Sequence, residues 1–196
     1  MKTRTATIKR KTMETDITVV VNLDGNGTYQ VETGNGFLNH MLELFSKHSL
    51  IDLTITAKGD LNVDDHHTVE DIGICLGQAL CKALGDKRGI ERYGFLLPMD
   101  EVLAEVAIDL GGRSYLVWNV VFKREKIGDM PTELFEDFFK AIADNLQANI
   151  HVNIKYGRNE HHIAEGIFKA FARALRFAVS QDKRSCDLLP STKGKL

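Results

Sequence analysis

The sequence predicts an α+β protein made of two similar halves in tandem, each with helices packed on one face of a mixed β-sheet. Three observations lead there. Period-two alternation of apolar residues marks short strands, and helical periodicity marks longer amphipathic segments between them. The word Asp65-His66-His67-Thr68-Val69-Glu70 then returns as Glu160-His161-His162-Ile163-Ala164-Glu165 at the matching place in the second half. An internal duplication is the simplest account.

The elements follow in order. Asp16 to Leu23 alternates, with Ile17, Val19, Val21 and Leu23 on one face, and runs into Asp24-Gly25-Asn26-Gly27, so Tyr29 to Thr33 is expected as its hairpin partner. Phe37, Met41, Leu44 and Phe45 have helical spacing across Phe37 to His48, and Leu50 to Ala57 returns to period two. A long helix spans Asp65 to Leu84, with Asp64 or Asp65 as N-cap and Gly85 as its stop. In the second half Glu101 to Leu110 alternates, Gly111-Gly112 turns the chain, and Tyr115 to Phe122 is the expected partner strand. Pro131 opens a helix from Thr132 to about Asn149, Ile150 to Tyr156 is a strand, and His161 to Val179 is a helix. Residues 1–90 and 91–180 are therefore read as half-domain repeats, followed by a tail over 181–196. Alignment by element pairs Val19 with Val106, Ile55 with Ile154, and His66-His67 with His161-His162.

Composition narrows the function. With 43% hydrophobic and 27% charged residues in 196, the chain is globular, which excludes disorder, collagen and a coiled-coil rod. A chain this long buries about 70% of its extended surface, enough for a core without staples. The formal charge of -2 lacks the basic surplus that phosphate backbones demand, so no nucleic-acid partner is expected. No window approaches the ~20 apolar residues of a membrane span and Met1 to Lys11 has no apolar leader, so a soluble, cytoplasmic protein is expected. Cys75, Cys81 and Cys186 form no C-x-x-C pair and are read as reduced thiols without chemistry. Helices on one face leave the other sheet face open, so a subunit contact and a homo-oligomer are expected.

The chemistry concentrates in the histidines. Four of the seven lie in the two repeated words. On a helix, His66 and Glu70 share a face, as do His161 and Glu165, whereas His67 and His162 project about 100° away from their neighbours. Adjacent histidines therefore serve different ions: each word gives a His–Glu pair to one metal and a lone His to another. Two similar sites result, each needing both halves or two subunits. Imidazole and carboxylate without thiolate favour octahedral Mn²⁺ over a closed structural Zn²⁺, with zinc and iron left open. His40, in the first short helix, is a further candidate ligand, and Asp137 occupies the matching place in the second half. Glu14 and Glu101 precede equivalent strands, each either a base or a charged strand start. Arg92, Arg113 beside Gly111-Gly112, Lys169, and Ser191 with Lys193 in the tail are the candidate phosphate donors.

Phe37-Leu38-Asn39-His40-Met41-Leu42, the two His-His-x-x-Glu words, Gly112-Arg113-Ser114-Tyr115-Leu116, Phe168 to Leu175 and Pro190-Ser191-Thr192-Lys193-Gly194 together resemble the imidazoleglycerol-phosphate dehydratase family, over nearly the whole chain. The resemblance implies a duplicated fold like the second domain of ribosomal protein S5, and a homo-oligomeric 24-mer built from trimers, with two Mn²⁺ per active site at subunit interfaces. It implies metal ligands at His40, His66, His67, Glu70, His161, His162 and Glu165, with Asp137 standing where the family often has His. It also implies a phosphate substrate held by Arg92, Arg113, Lys169, Ser191 and Lys193, with His48 and Asp100 nearby, and Leu44 where the family commonly has Gln. The implied reaction belongs to histidine biosynthesis. It is loss of water from imidazole glycerol phosphate to give imidazole acetol phosphate, through a di-metal-stabilised imidazolate and a diazafulvene-like intermediate. Glu14 is the first candidate base and Glu165 the second. An appended phosphatase domain is not expected. Two other readings stand beside this one: an RNA-binding or assembly module, and a protein whose metals are structural or hydrolytic toward a phosphate ester.

Overall fold

Apolar alternation becomes burial along the two central strands: Ile17, Val19 and Val21 are fully buried in the first half, and Val102, Ala104 and Val106 in the second. A computed structural model describes residues 4–182 and 188–194, so Cys186 lies outside the described residues. The first half runs β1 (Thr5–Lys11), β2 (Thr15–Asn22), β3 (Tyr29–Glu32), α1 (Gly36–Ser49), β4 (Asp52–Gly59) and α2 (His66–Leu84). The second runs β5 (Tyr93–Met99), β6 (Val102–Asp109), β7 (Tyr115–Asn119), the two-residue strands β8 (Lys126–Ile127) and β9 (Met130–Pro131), α3 (Leu134–Leu146), β10 (Asn149–Tyr156) and α4 (Glu160–Val179). The α+β fold read from the sequence is the one observed.

Each half forms a four-stranded sheet of the same plan, β1-β2-β4-β3 and β5-β6-β10-β7, antiparallel except for the final parallel pair. This corrects the expected hairpins. β3 runs parallel to β4, with Val31 opposite Ile55, and β7 runs parallel to β10, with Leu116 opposite Ile150. Alternation reveals which face of a strand is buried but not which neighbour it meets, and here the turn after β2 leads across the sheet. The register also revises one equivalence. Val19 pairs with Ile55 while Val106 pairs with Val152, so Val152 is the counterpart of Ile55, and Ile154 stands beside a register shift. Strands β1 and β5 and the short pair β8 and β9 were not expected, and α3 is shorter at both ends than its apolar pattern suggested, with Pro131 in β9 rather than opening the helix.

Helices of the two halves pack on each other, α2 along α3 and α1 along α4, so the helices lie between the two sheets. Buried rings fill this layer: Phe138 stacks on Phe168 at 5.6 Å and Phe45 on Phe171 at 5.6 Å. Gly73 and Gly77 let α2 approach closely, because a Cβ at either would stand 2.9 Å from a backbone carbonyl of α3. Such close packing fixes helix register. Among the described residues, no helix is long and apolar enough to cross a membrane.

Helix starts converge at one end of this layer. Asn35 caps α1 by accepting from Leu38 N–H at 2.9 Å, and Asn159 caps α4 by accepting from His161 N–H at 3.0 Å. At α2 it is Asp64, not Asp65, that accepts from His66 N–H, at 2.8 Å, while Asp65 accepts from the Asn35 side chain at 3.3 Å. Both His-His words therefore open at the same end of the molecule.

Candidate metal centre and substrate site

The helical layer crosses the two halves, and this decides which residues meet. At the start of α2, His66 Nε2 lies 3.9 Å from Glu70 and its Nδ1 lies 3.8 Å from Asp137 on α3. At the start of α4, His161 Nε2 lies 3.7 Å from Glu165, and the ring of His40 on α1 stands 6.2 Å from that of His161. His40, His161 and Glu165 each bring a ligand atom within 4.8 Å of the others. Two donors about 2.0–2.2 Å from one ion can stand no more than about 4.4 Å apart, so both His–Glu pairs have the right spacing for a shared cation, whereas Asp137 meets the opposite ring nitrogen of His66. His40 and Asp137 thus occupy corresponding places, each supplied by the half that does not supply the histidine. His66 and His161 keep partial exposure and His40 is exposed, so an ion can enter from solvent.

The second histidine of each word turns elsewhere, as helical geometry requires. His67 Nδ1 lies 3.1 Å from Asp60 and 3.9 Å from Glu14; His162 Nδ1 lies 2.8 Å from Glu101 and 3.9 Å from Asp100. The Asp60 hydrogen bond raises the His67 pKa, with the charge of Glu14 adding to it. The bond from His162 pulls the Glu101 carboxyl down to about 2, helped by the Asn159 N–H that donates to Glu101 Oε1 at 2.9 Å, and the same bond raises His162. Each pair leaves Nε2 of its histidine facing away from the carboxylate, as an orienting partner does for a metal-binding imidazole.

One turn further along α4, Lys169 donates to Glu165 at 2.6 Å. Burial alone would raise Glu165, but this bond and the charges of Lys169, His161 and His40 outweigh it and lower the pKa, keeping a carboxylate beside the histidines. His48 lies on the same side of α1; burial lowers its pKa first, and the nearby charges of Lys169 and Arg173 add to the shift. A cleft of about 510 Å³ lies elsewhere, lined by Arg92, Arg113, Ser191 and Lys193 together with Gly111, Gly112, Pro190 and Thr192. Arg92 grips Asp109 with Nε at 2.5 Å and Nη2 at 2.9 Å, and its Nη1 donates to Pro190 O at 2.9 Å, which ties the tail to the rim. A Cβ at Gly111 would stand 2.7 Å from Arg92 Nη2, so a side chain there would displace the guanidinium.

The phosphate candidates therefore fall into two groups. Arg92, Arg113, Ser191 and Lys193 share the cleft, whereas Lys169 and His48 stand near the histidines. Arg92 N–H donates to Ala178 O near the end of α4, nine residues or about 14 Å along the helix from Lys169. Within one chain the groups do not meet. Sequence reasoning missed Asp60, whose signal is its place after β4, where Gly59 pairs with Thr15 and so faces Glu14. It also missed buried Asp71, which accepts from Arg10 at 2.7 Å and from Thr15 at 2.6 Å beneath Glu14, and Arg173 beside His48.

Comparison with known proteins identifies the family. The imidazoleglycerol-phosphate dehydratase family profile matches residues 33–175. The chain is 57% identical to the imidazoleglycerol-phosphate dehydratase of Cereibacter sphaeroides over 98% of its own length and 100% of that protein, and 56% identical to that of Granulibacter bethesdensis over 99% and 100%. Among solved structures, the dehydratase of Staphylococcus aureus superposes with a TM-score of 0.83 at 42% identity, covering 91% of this chain and 99% of that one. The enzyme of Pyrococcus furiosus gives 0.81 at 34%, covering 96% and 100%. With sequence and fold both matched end to end, the chain belongs to the imidazoleglycerol-phosphate dehydratase family, hydro-lyases that dehydrate imidazoleglycerol phosphate in histidine biosynthesis.

Proposed function

We propose that this dehydratase is manganese-dependent, that it takes two Mn²⁺ per active site, and that subunit assembly completes the site. The carrying observation is the His40, His161 and Glu165 cluster together with the matching His66–Glu70 pair, with Asp137 at the other nitrogen of His66 and with His67 and His162 turned away from both. Three donors leave an octahedral shell unfilled, and the outward-turned histidines of neighbouring subunits suit the vacant positions. The separation between the phosphate cleft and Lys169 supports the same conclusion, because one substrate needs both groups. A homo-oligomer, the 24-mer of trimers that the family resemblance implies, satisfies these requirements. The reading places the enzyme in the cytoplasm, with a small-molecule phosphate as its substrate and no nucleic-acid partner.

Within the assembled site, Arg113, Ser191 and Lys193 donate to the phosphate and Arg92 holds the cleft in shape. Lys169 and His48 neutralise charge nearer the reacting carbons, and exposed Asp100 stands at the rim of the second histidine site. Bound Mn²⁺ supplies Lewis-acid stabilisation of negative charge on the substrate imidazole. The hydroxyl on the ring-bearing carbon departs first, Glu14 then takes the proton from the adjacent carbon, and the resulting enol tautomerises to the ketone of imidazole acetol phosphate. Glu14 suits this role better than Glu165: its side chain is 55% exposed, whereas Glu165 is held by Lys169 among two histidines. Dialysis against a chelator tests the reading. Dehydration of imidazole glycerol phosphate is expected to disappear with the metal and return with Mn²⁺, and a metal-free protein that keeps full turnover contradicts it.

A further inference from the structure

The halves share a plan, but they do not use their acids alike. Glu14 immediately precedes Thr15 at the start of β2, and Glu101 immediately precedes Val102 at the start of β6, so the two glutamates are counterparts by register. Their surroundings differ. Glu101 is half-buried and bonds His162 at 2.8 Å, while Glu14 is open and stands 3.9 Å from His67. The close partner of His67 is instead Asp60, at 3.1 Å, whose side chain is 24% exposed against 28% for Glu101. The remaining acid near His162 is Asp100, at 3.9 Å and 69% exposed, much as Glu14 is near His67.

We propose that Asp60 is the positioning residue that fixes the His67 ring for its metal, doing in the first half what Glu101 does in the second, and thereby leaving Glu14 unengaged and available as the base. This rests on the metal reading above. Asp60 follows Gly59 at the end of β4, directly across the ladder from Thr15. Past the register shift in β10, Tyr156 faces Leu103 as Lys58 faces Asp16, so Gly157 matches Gly59 and the place of Asp60 is held by Arg158, a cation that cannot accept from an imidazole, and the strand-start glutamate serves instead. A carboxylate that accepts from Nδ1 holds the imidazole in the tautomer whose Nε2 is free to bind a cation. The duplicated element has thus split its duties: one glutamate orients a histidine, the other is kept for proton transfer.

Calorimetric titration of the metal-free protein with Mn²⁺ tests this. Asp60→Asn, which keeps the shape and removes the charge, is expected to weaken one class of Mn²⁺ site by about 10–100-fold and leave the other unchanged, with Asp60→Glu recovering part of the loss. Glu14→Gln is expected to leave both classes within about twofold of wild type, a contrast that a general loss of structure at this end would not produce. Wild-type affinity in Asp60→Asn, or the loss appearing in Glu14→Gln instead, overturns the proposal. Wild-type protein that binds no Mn²⁺ overturns the metal reading beneath it.

Discussion

Glu14 is held by its backbone rather than by its carboxylate: its N–H donates to Thr12 Oγ1 at 3.1 Å, and the neighbouring Thr15 is anchored on buried Asp71. The acid is presented on a fixed turn with its oxygens open, the arrangement a general base needs. Glu14→Gln is expected to lower kcat by about 10²–10⁴-fold with KM little changed, measured by steady-state dehydration. Arg113→Ala removes a charged donor from the cleft worth about 1.5–3 kcal/mol, so KM is expected to rise by roughly 10–100-fold with a smaller change in kcat. The repeated words already showed at the sequence level which histidines share a face with a glutamate, since that depends only on helical spacing. The carboxylates that orient the second histidines were not legible. Asp60 meets His67 because β4 and β2 lie side by side, and such pairing is a tertiary fact.

Elements carry the site through their packing. α2 brings His66 to Asp137 only because Gly73 and Gly77 admit the backbone of α3. Gly77→Ala adds a methyl 2.9 Å from Ile142 O and 3.2 Å from its Cα, and a backbone yields less readily than a side-chain tip. The gain in helix propensity, about 1 kcal/mol, is outweighed by overpacking of about 1–3 kcal/mol, so a lower urea midpoint is expected. The turn before β3 depends on Asp52, which accepts from the N–H groups of Asn26 at 2.9 Å and Thr28 at 3.0 Å. Burial would raise this carboxyl, but those bonds and the Asn22 side chain lower it overall. A depressed folded pKa gives stability that is present above the ordinary aspartate value of about 3.9 and is lost as pH falls through the folded value. Asp52→Asn is therefore expected to flatten the acid limb of the metal-free protein's stability curve, read from urea midpoints on either side of that window. Strands β2, β4, β6 and β10 were legible because each alternates with one buried face. β1 was not, because Thr5, Thr7, Lys9 and Lys11 put only polar residues on its outer face while a single alanine is fully buried on the inner one.

At the scale of the molecule, two sheets enclose one helical layer, and duplication puts two similar clusters at the end where the helices start. The repeat was visible in the sequence. The crossing of α1 onto α4 and α2 onto α3 was not, since apolar helix faces do not name their partners. That crossing explains why each cluster draws on both halves and why neither reaches the phosphate cleft of its own chain. On the proposed reading, in which ions shared between subunits would hold the contacts together, chelation is expected to abolish turnover and also to shift the native mass downward; light scattering before and after Mn²⁺ is restored checks this. The decisive measurement is anomalous diffraction from Mn²⁺-loaded crystals of the assembled enzyme. Two peaks per chain are expected, one at His66 and Glu70, the other at His40, His161 and Glu165, each joined by a His67 or His162 ring from a neighbour. A single peak shared by adjacent histidines of one word, or no peak at either cluster, would contradict the assignment.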